Sequence, residues 1–364
     1  MNSNNTQNNP ERALVETGVI IKLGLDVHAA KVAICVQIDG ATPRPSQMVP
    51  SERVMGWISA LRARYPGARV VSCYEAGPIG YVLHRKLLAA GIENMVVTPQ
   101  RLDTDGRRQK TDRLDARALA ERLDRYVRGN RNAISIVRVP TPEEEQARSI
   151  VRMRSQLMRT RRKHEARGRG VMLAQGIRVQ GAWWSPKKWN ELAPTLPDWL
   201  RPIVEVWQRM AAEADAEERK VREQLEETAP AELPRGIGAL TWVTLSREIL
   251  DWSRFKNRRQ VASYTGLCPG ISQSGERTHY RSVNRHGNPA IRHALIELVW
   301  RLALWQPQYP PVRCLVEKSL SPRLRRKAAV AAARRLAIDL WRLATGQTTP
   351  EKVGLTAAFA PRTS

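Results

Sequence analysis

The chain has 364 residues, with 60 Lys or Arg against 35 Asp or Glu and a formal net charge of +25, a balance that calls for a polyanionic partner. Its hydrophobic fraction of 42% is enough for buried cores and excludes full disorder, and the length suggests two or three domains. The apolar runs, such as Val32 to Val36 and Ala328 to Ala333, fall far short of the roughly 20 residues of a membrane span, so a soluble chain without a membrane partner is expected.

The polar start, MNSNNTQNNPER, lacks the basic and apolar regions of a secretory signal and reads as a disordered tail over 1–18, with the cytoplasm, at the nucleoid, as the expected location. From Val19 to Asp39 two runs rich in Val and Ile flank a short turn at His28 to Lys31, the pattern of a β-hairpin. A helical stretch near Met55 to Tyr65, a strand at Arg69 to Tyr74, a helix from Gly80 to Ala90 and a strand at Asn94 to Thr98 follow, and KTDRLDARALAERL is again helical. A hairpin succeeded by strands alternating with helices predicts a mixed sheet with helices on its faces, an α/β domain over 19–140. Residues 141–230 read as a helical arm. A long basic helix runs from Pro142 to about Gln175, the Trp- and Pro-rich insert GAWWSPKKWNELAPTLPDWL follows, and a second charged helix spans Ile203 to Glu227. The two helices are suited to pairing as an antiparallel coiled coil, with the tryptophans closing its tip. A mostly α-helical third region covers 231–348, and 349–364 is a tail.

Basic residues are dense in two places. From Arg148 to Arg169 there are nine Lys or Arg and one acid, and from Arg281 to Arg342 thirteen against three. Such density points to phosphate contacts, and because basic residues recur along the whole chain, nucleic acid is favoured over a membrane surface. The four cysteines, Cys35, Cys73, Cys268 and Cys314, form no CxxC pair, so they read as buried thiols rather than a zinc site or a disulfide framework.

Acidic residues in such a basic chain need an explanation. Asp26, in LGLDVH, falls within the first strand on the face opposite Leu25 and Val27. Glu75 ends the strand in VVSCYEAG, where a parallel strand delivers side chains to a ligand crevice. Asp112 and Asp115 stand at i and i+3, on one helix face. Hard divalent cations take oxygen ligands, and two of them about 3.5–4 Å apart can activate a nucleophile and stabilise the leaving oxygen in phosphoryl transfer. Taken singly, Asp112 and Asp115 fit surface pairing with Lys110, Arg113 or Arg117; together with Asp26 and Glu75 they favour a metal site.

The ordered set LGLDVH, CYEAGPIGYVLHRKL, VVTPQ and KTDRLDARALAERLDRY resembles the RuvC-like DEDD domain of insertion-sequence transposases of the one-ten family, relatives of the Piv-type DNA invertases. LPRGIGALTW, YTGLCPGISQSGE and NRHGNPAIRHALIE are similar to that family's C-terminal transposase domain, so about two thirds of the chain is covered and the arm fits by position. The resemblance implies a RuvC/ribonuclease-H-like mixed sheet and a catalytic set of Asp26, Glu75, Asp112 and Asp115 that binds Mg²⁺, two ions with Mn²⁺ as a substitute. It implies that Ser274 is the nucleophile. Two adjacent serines are common before that glycine in the family, whereas here Gln273 precedes Ser274 and Ser272 lies one step earlier. It further implies double-stranded donor and target DNA, guidance by a structured noncoding bridge RNA, and homo-oligomers, dimers forming a tetramer, with active sites composed from two protomers.

Phosphate contacts are expected from Lys110 and Arg113 beside the acids, from Arg152, Arg159, Arg161 and Arg162 on the basic helix, and from Arg277, Arg281, Arg285 and Arg292 in the third region. Arg285 stands where the family commonly has lysine. The turn at Gly236 and Gly238, preceded by Arg235 where the family pattern has none, is a further candidate through its backbone N–H groups. Three rivals stand beside this reading. A metal-dependent Holliday-junction-type nuclease would use the acids and water, an unguided site-specific invertase would need no RNA, and a noncatalytic nucleic-acid-binding protein would need neither acids nor serine.

Overall fold

The structure is a computed structural model that describes residues 18–99, 111–230, 233–274, 277–283, 287–316 and 320–356, with the backbone alone described over 271–274 and 277–282. It divides into two compact units, Met1–Val139 and Pro140–Ser364.

The first unit is an α/β layer structure. Strands β1 (Ile20–Val27), β2 (Lys31–Ile38) and β3 (Gln47–Pro50) precede helix α1 (Val54–Ala63). Then come β4 (Arg69–Glu75), α2 (Val82–Ala89), β5 (Glu93–Val97) and α3 (Asp112–Val127). The five strands lie in the order β3-β2-β1-β4-β5. β2 is antiparallel to β1 and β3, whereas β1, β4 and β5 run parallel. This mixed sheet is consistent with the RuvC-like fold implied by the sequence. β3 was not expected; its four residues, QMVP, form an edge strand too short to carry a periodic signal.

Alternation sorts the strand residues onto two faces. Ile21, Leu23 and Leu25 of β1 join Ile34, Val70, Tyr74 and Val96 in a core shared with Ile58 and Leu61 of α1 and Leu87 of α2. The opposite face holds Ala33 and Cys35 against Ala116 and Ala120 of α3, and Val71 and Cys73 against Leu119 and Leu123. Gly24 makes that approach possible, because a Cβ there would stand 2.1 Å from the Ala116 carbonyl oxygen and 2.4 Å from the Ala120 nitrogen. Farther along, buried Lys22 pairs with Asp124 at 2.7 Å, and Arg128 meets the same carboxylate at 2.9 Å. Helix α3 therefore runs back along β1, its N-terminus at the strand's C-terminal end.

In the second unit, α4 (Pro142–Leu173) starts at a capping box in which Thr141 and Glu144 satisfy each other's backbone N–H groups. Helix α5 (Pro186–Leu192) belongs to the insert, and α6 (Arg201–Glu227) returns along α4. Antiparallel pairing follows from Arg154 with Glu218 at 2.7 Å, Arg161 with Asp215 at 2.6 Å and the His164 ring stacked on Trp207 at 5.7 Å. Trp183 and Trp184 are buried at the tip, where Gly168 leaves room for the Trp183 ring; Trp199 instead is exposed.

The remainder packs α7 (Ala239–Ile249), α8 (Arg258–Thr265), α9 (Pro289–Trp305), α10 (Arg313–Val316) and α11 (Pro322–Ala344) around Leu295, Leu298, Leu302, Ala333 and Leu336. Between α8 and α9 a two-stranded antiparallel hairpin, β6 (Pro269–Ser274) and β7 (Arg277–Val283), interrupts the expected run of helices. Residues 349–356, read from sequence as tail, include the short helix α12 (Pro350–Val353) and dock through buried Leu355. Of the four cysteines, all free, Cys35 and Cys73 are buried and Cys268 and Cys314 half-buried. Among the described residues, no helix is long and apolar enough to cross a membrane.

Candidate metal centre and nucleic-acid interface

Asp26 is the penultimate residue of β1 and lies, as alternation requires, on the α3-covered face. Leu25 is in register with Tyr74, so Asp26 and Glu75 follow one another across two parallel strands, on one face and at their C-terminal ends. The first turn of α3 carries Asp112 and Asp115 to that same end, where the positive end of the helix favours acids. His28, just beyond β1, joins them: its Nε2 is 3.2 Å from Asp26 Oδ2 and 3.5 Å from Asp112 Oδ1. Ligand atoms of Asp26, His28 and Asp112 all lie within 4.8 Å of one another.

Burial pushes the Asp26 carboxyl above the usual aspartate range; His28 pulls it partly back, while the charges of Asp112 and Asp115 push the same way as burial. Crowded carboxylates at the edge of water are what a divalent cation neutralises, and the donor set present fits one. Asp26 and Asp112 are brought together and Asp115 is near enough to act on Asp26. Glu75 is placed by register at the adjoining strand end, outside the three-residue cluster. Sequence reasoning passed over His28 as a turn residue, although its position two residues after Asp26 at a strand end was the available signal.

Ser274 closes β6 and is in register with Arg277, which opens β7. Of Ser274, Arg277 and Arg281 the backbone alone is described, and Lys110 and Arg285 lie outside the described residues. The hairpin rises from a pinched neck. A Cβ on Gly266 would stand 2.5 Å from the Gly287 nitrogen, and one on Gly287 2.3 Å from the Gly266 nitrogen. Gly266 ends α8 in the left-handed conformation, at φ +67°, so glycine is required there twice over. Arg292 donates to the Thr265 and Gly287 carbonyl oxygens at this neck. Asn288 caps α9 with its side-chain oxygen and donates its amide N–H to Glu248 at 2.7 Å. Glu248 is 1% exposed and also accepts from Arg148 and Arg152 of α4. Burial alone would raise its carboxyl, but the hydrogen bonds from Arg152 and Asn288 and the nearby arginine charges hold it below the usual glutamate range.

Some of the residues expected to meet phosphate also have partners within the protein. Arg152 pairs with Glu248 and Arg161 with Asp215, so both join helices together. Arg159 and Arg162 are exposed on α4, Arg159 donating to the Ser155 carbonyl oxygen and Gln156 Oε1 of its own helix, and Arg113 is exposed beside Asp112. At the glycine turn, the Ile237 N–H is taken by the Pro234 carbonyl oxygen. Gly236 packs beside Trp305 and Gly238 beside the Arg301 guanidinium.

Comparison with known proteins accords with both units. Residues 232–311 match the family model described as Transposase IS116/IS110/IS902 family, and residues 23–175 match a DEDD model described as Transposase. A Sinorhizobium fredii protein, y4rJ, a transposase by name, is 33% identical over 306 residues, covering 74% of this chain and 75% of the relative. The transposase for insertion sequence element IS1111A of Coxiella burnetii is 25% identical over 283 residues, 73% of this chain and 75% of the relative. With its acids gathered where the family model lies, the chain belongs to the IS116/IS110/IS902 family and is a DNA transposase of an insertion sequence.

Proposed function

We propose that this transposase cuts and rejoins DNA through a divalent-metal site formed by Asp26, Glu75, Asp112 and Asp115, with Ser274 as the nucleophile. The observation that carries the reading is the convergence of Asp26 and Asp112, with His28 within 3.5 Å of both, at the end of the parallel strands where Glu75 also emerges. When bound, Mg²⁺ or Mn²⁺ would neutralise the phosphate oxygens and stabilise the leaving oxygen. The residues do the rest. The acids hold the site, exposed Arg113 steers the phosphodiester toward it, and Arg159 and Arg162 grip phosphates along the arm.

In the chemical step, the bond from Ser274 Oγ to phosphorus forms as the bond from phosphorus to the leaving deoxyribose oxygen breaks. The serine proton passes to a carboxylate or water, and the leaving oxygen gains a proton. Attack of another strand's hydroxyl on the phosphoserine reverses these changes, so the ester is conserved and rejoining needs no nucleotide cofactor. Selection of donor and target by a structured noncoding RNA suits a chain of charge +25, which can bind two nucleic acids at once, with base pairing carrying the sequence information. Homodimers that pair into a tetramer complete the reading.

Strand-exchange assays on DNA carrying the element's ends, with the RNA that co-purifies from the native locus, test it. Ser274→Ala is expected to abolish both rejoining and the covalent protein–DNA adduct, and Asp26→Asn to abolish cleavage. Normal recombination by Ser274→Ala overturns the serine mechanism; metal-dependent nicking that survives without any adduct makes the protein a junction nuclease. Recovery of no discrete RNA from an active complex overturns guidance.

A further inference from the structure

The acids of the proposed centre are oxygen donors, yet the group closest to two of them is an imidazole. His28 Nε2 lies 3.2 Å from Asp26 Oδ2 and 3.5 Å from Asp112 Oδ1. An ion holding ligands at about 2.1 Å sets neighbouring donor atoms about 3.0 Å apart in octahedral and about 3.4 Å apart in tetrahedral geometry. Both distances from the imidazole are close to those between neighbouring ligands of one ion, and the three ligand atoms lie within 4.8 Å of one another. The backbone that carries the ring is held in place, since the His28 N–H donates to the Lys31 carbonyl oxygen at 3.0 Å and Ser51 Oγ donates to the His28 carbonyl oxygen at 3.1 Å. His28 is thus fixed at the end of β1, on the side from which α3 delivers Asp112.

We infer that His28 is a direct nitrogen ligand of the ion held by Asp26 and Asp112, and that this mixed nitrogen and oxygen set makes the centre prefer Mn²⁺ to Mg²⁺. The inference rests on the metal-site reading above and deepens it. Mg²⁺ demands oxygen ligands and keeps its waters, whereas Mn²⁺, although the weakest of the first-row divalent ions and also suited to carboxylates, is a transition ion that tolerates an imidazole beside them better than Mg²⁺ does. Replacing the imidazole costs the softer ion a bond and costs Mg²⁺ little. His28→Ala is expected to weaken Mn²⁺ binding about tenfold and Mg²⁺ binding less than about threefold.

The test uses the full-length, untagged protein without DNA, loaded with Mn²⁺ alone. Electron spin-echo spectroscopy reads whether a nitrogen is directly coordinated, and titration calorimetry reads the affinities for Mn²⁺ and Mg²⁺. The expected result is nitrogen modulation in the wild type that disappears in both His28→Ala and His28→Gln while Mn²⁺ stays bound, with thermal melting showing which of the two variants is folded. Mn²⁺ bound without nitrogen modulation, or modulation that persists in the folded variant, overturns the ligand assignment and leaves the acid site standing. Equal losses of Mn²⁺ and Mg²⁺ affinity overturn the preference. Failure of the wild type to bind either ion, or binding untouched by Asp26→Asn, overturns both the ligand assignment and the metal-site reading.

Discussion

A carboxylate set in a strand beside other acids works against folding until something positive joins it. Asp26 is such a group: burial raises its proton affinity, and Asp112 and Asp115 add to the effect against the partial relief from His28. A group whose folded pKa lies above its unfolded value favours the folded state only while protonated. At neutral pH the ionised Asp26 is therefore a cost, and Asp26→Asn is expected to raise the melting temperature of the metal-free protein by a few degrees. The gain should shrink as pH falls toward the ordinary aspartate value of 3.8, and reverse once Mn²⁺ is added, because the wild type then binds the ion more tightly than the variant and is stabilised more by it. Melting curves in chelator and in metal across pH decide it, and a variant less stable than wild type in chelator contradicts the account. Asp26 and Asp112 were legible in the sequence because strand alternation and helical i, i+3 spacing are local rules. His28 was legible only in part: its place two residues after Asp26 at a strand end is a local signal, but its other neighbour, Asp112, belongs to a helix that begins 84 residues later and returns along β1, and no local rule announces that return.

The return of α3 depends on one residue without a side chain. Gly24 sits in the middle of β1, where any Cβ would collide with the backbone of Ala116 and Ala120. Gly24→Ala must lift α3 from the sheet, at a cost of about 3 kcal/mol, and carry Asp112 and Asp115 away from Asp26. Denaturant unfolding and Mn²⁺ titration should both register it, with metal affinity falling at temperatures where the variant is still folded. Unchanged affinity would mean that the acids do not depend on this seat. Long elements were legible: α4 and α6 follow from helical spacing and length, and the parallel strands from their Val- and Ile-rich runs. The edge strand β3 and the hairpin of β6 and β7 were not, because PGISQSGERTHYRSV is polar and interrupted by glycine, so its pairing is set by its neck rather than by a hydrophobic face. Glu248 shows how that neck is fixed, a buried acid joining α4, α7 and the cap of α9, and breaking such a cluster leaves arginines without their partner.

At the scale of the whole molecule, the excess of 25 positive charges gives any polyanion a favourable encounter, but only side chains free to meet phosphate release counterions on binding. Composition cannot tell the two kinds of arginine apart; tertiary pairing can. Arg161 is held by Asp215 and lies over the Trp184 ring, whereas Arg159 and Arg162 are exposed on the same helix. The slope of the logarithm of duplex affinity against the logarithm of salt should therefore become shallower by roughly two on replacing Arg159 and Arg162 together with alanine, about one per lost phosphate contact. Arg161→Ala should leave the slope unchanged and instead lower the stability of the arm, because it strands Asp215 beside Arg219 alone. Binding to a nonspecific duplex between about 50 and 200 mM salt, with melting measured alongside, separates these outcomes. An unaltered slope in the double variant would make that face of α4 a solvated surface and move the phosphate track elsewhere on the chain. A shallower slope for Arg161→Ala would mean that nucleic acid draws the guanidinium away from Asp215, so that the arm exchanges an internal ion pair for an external one when it binds.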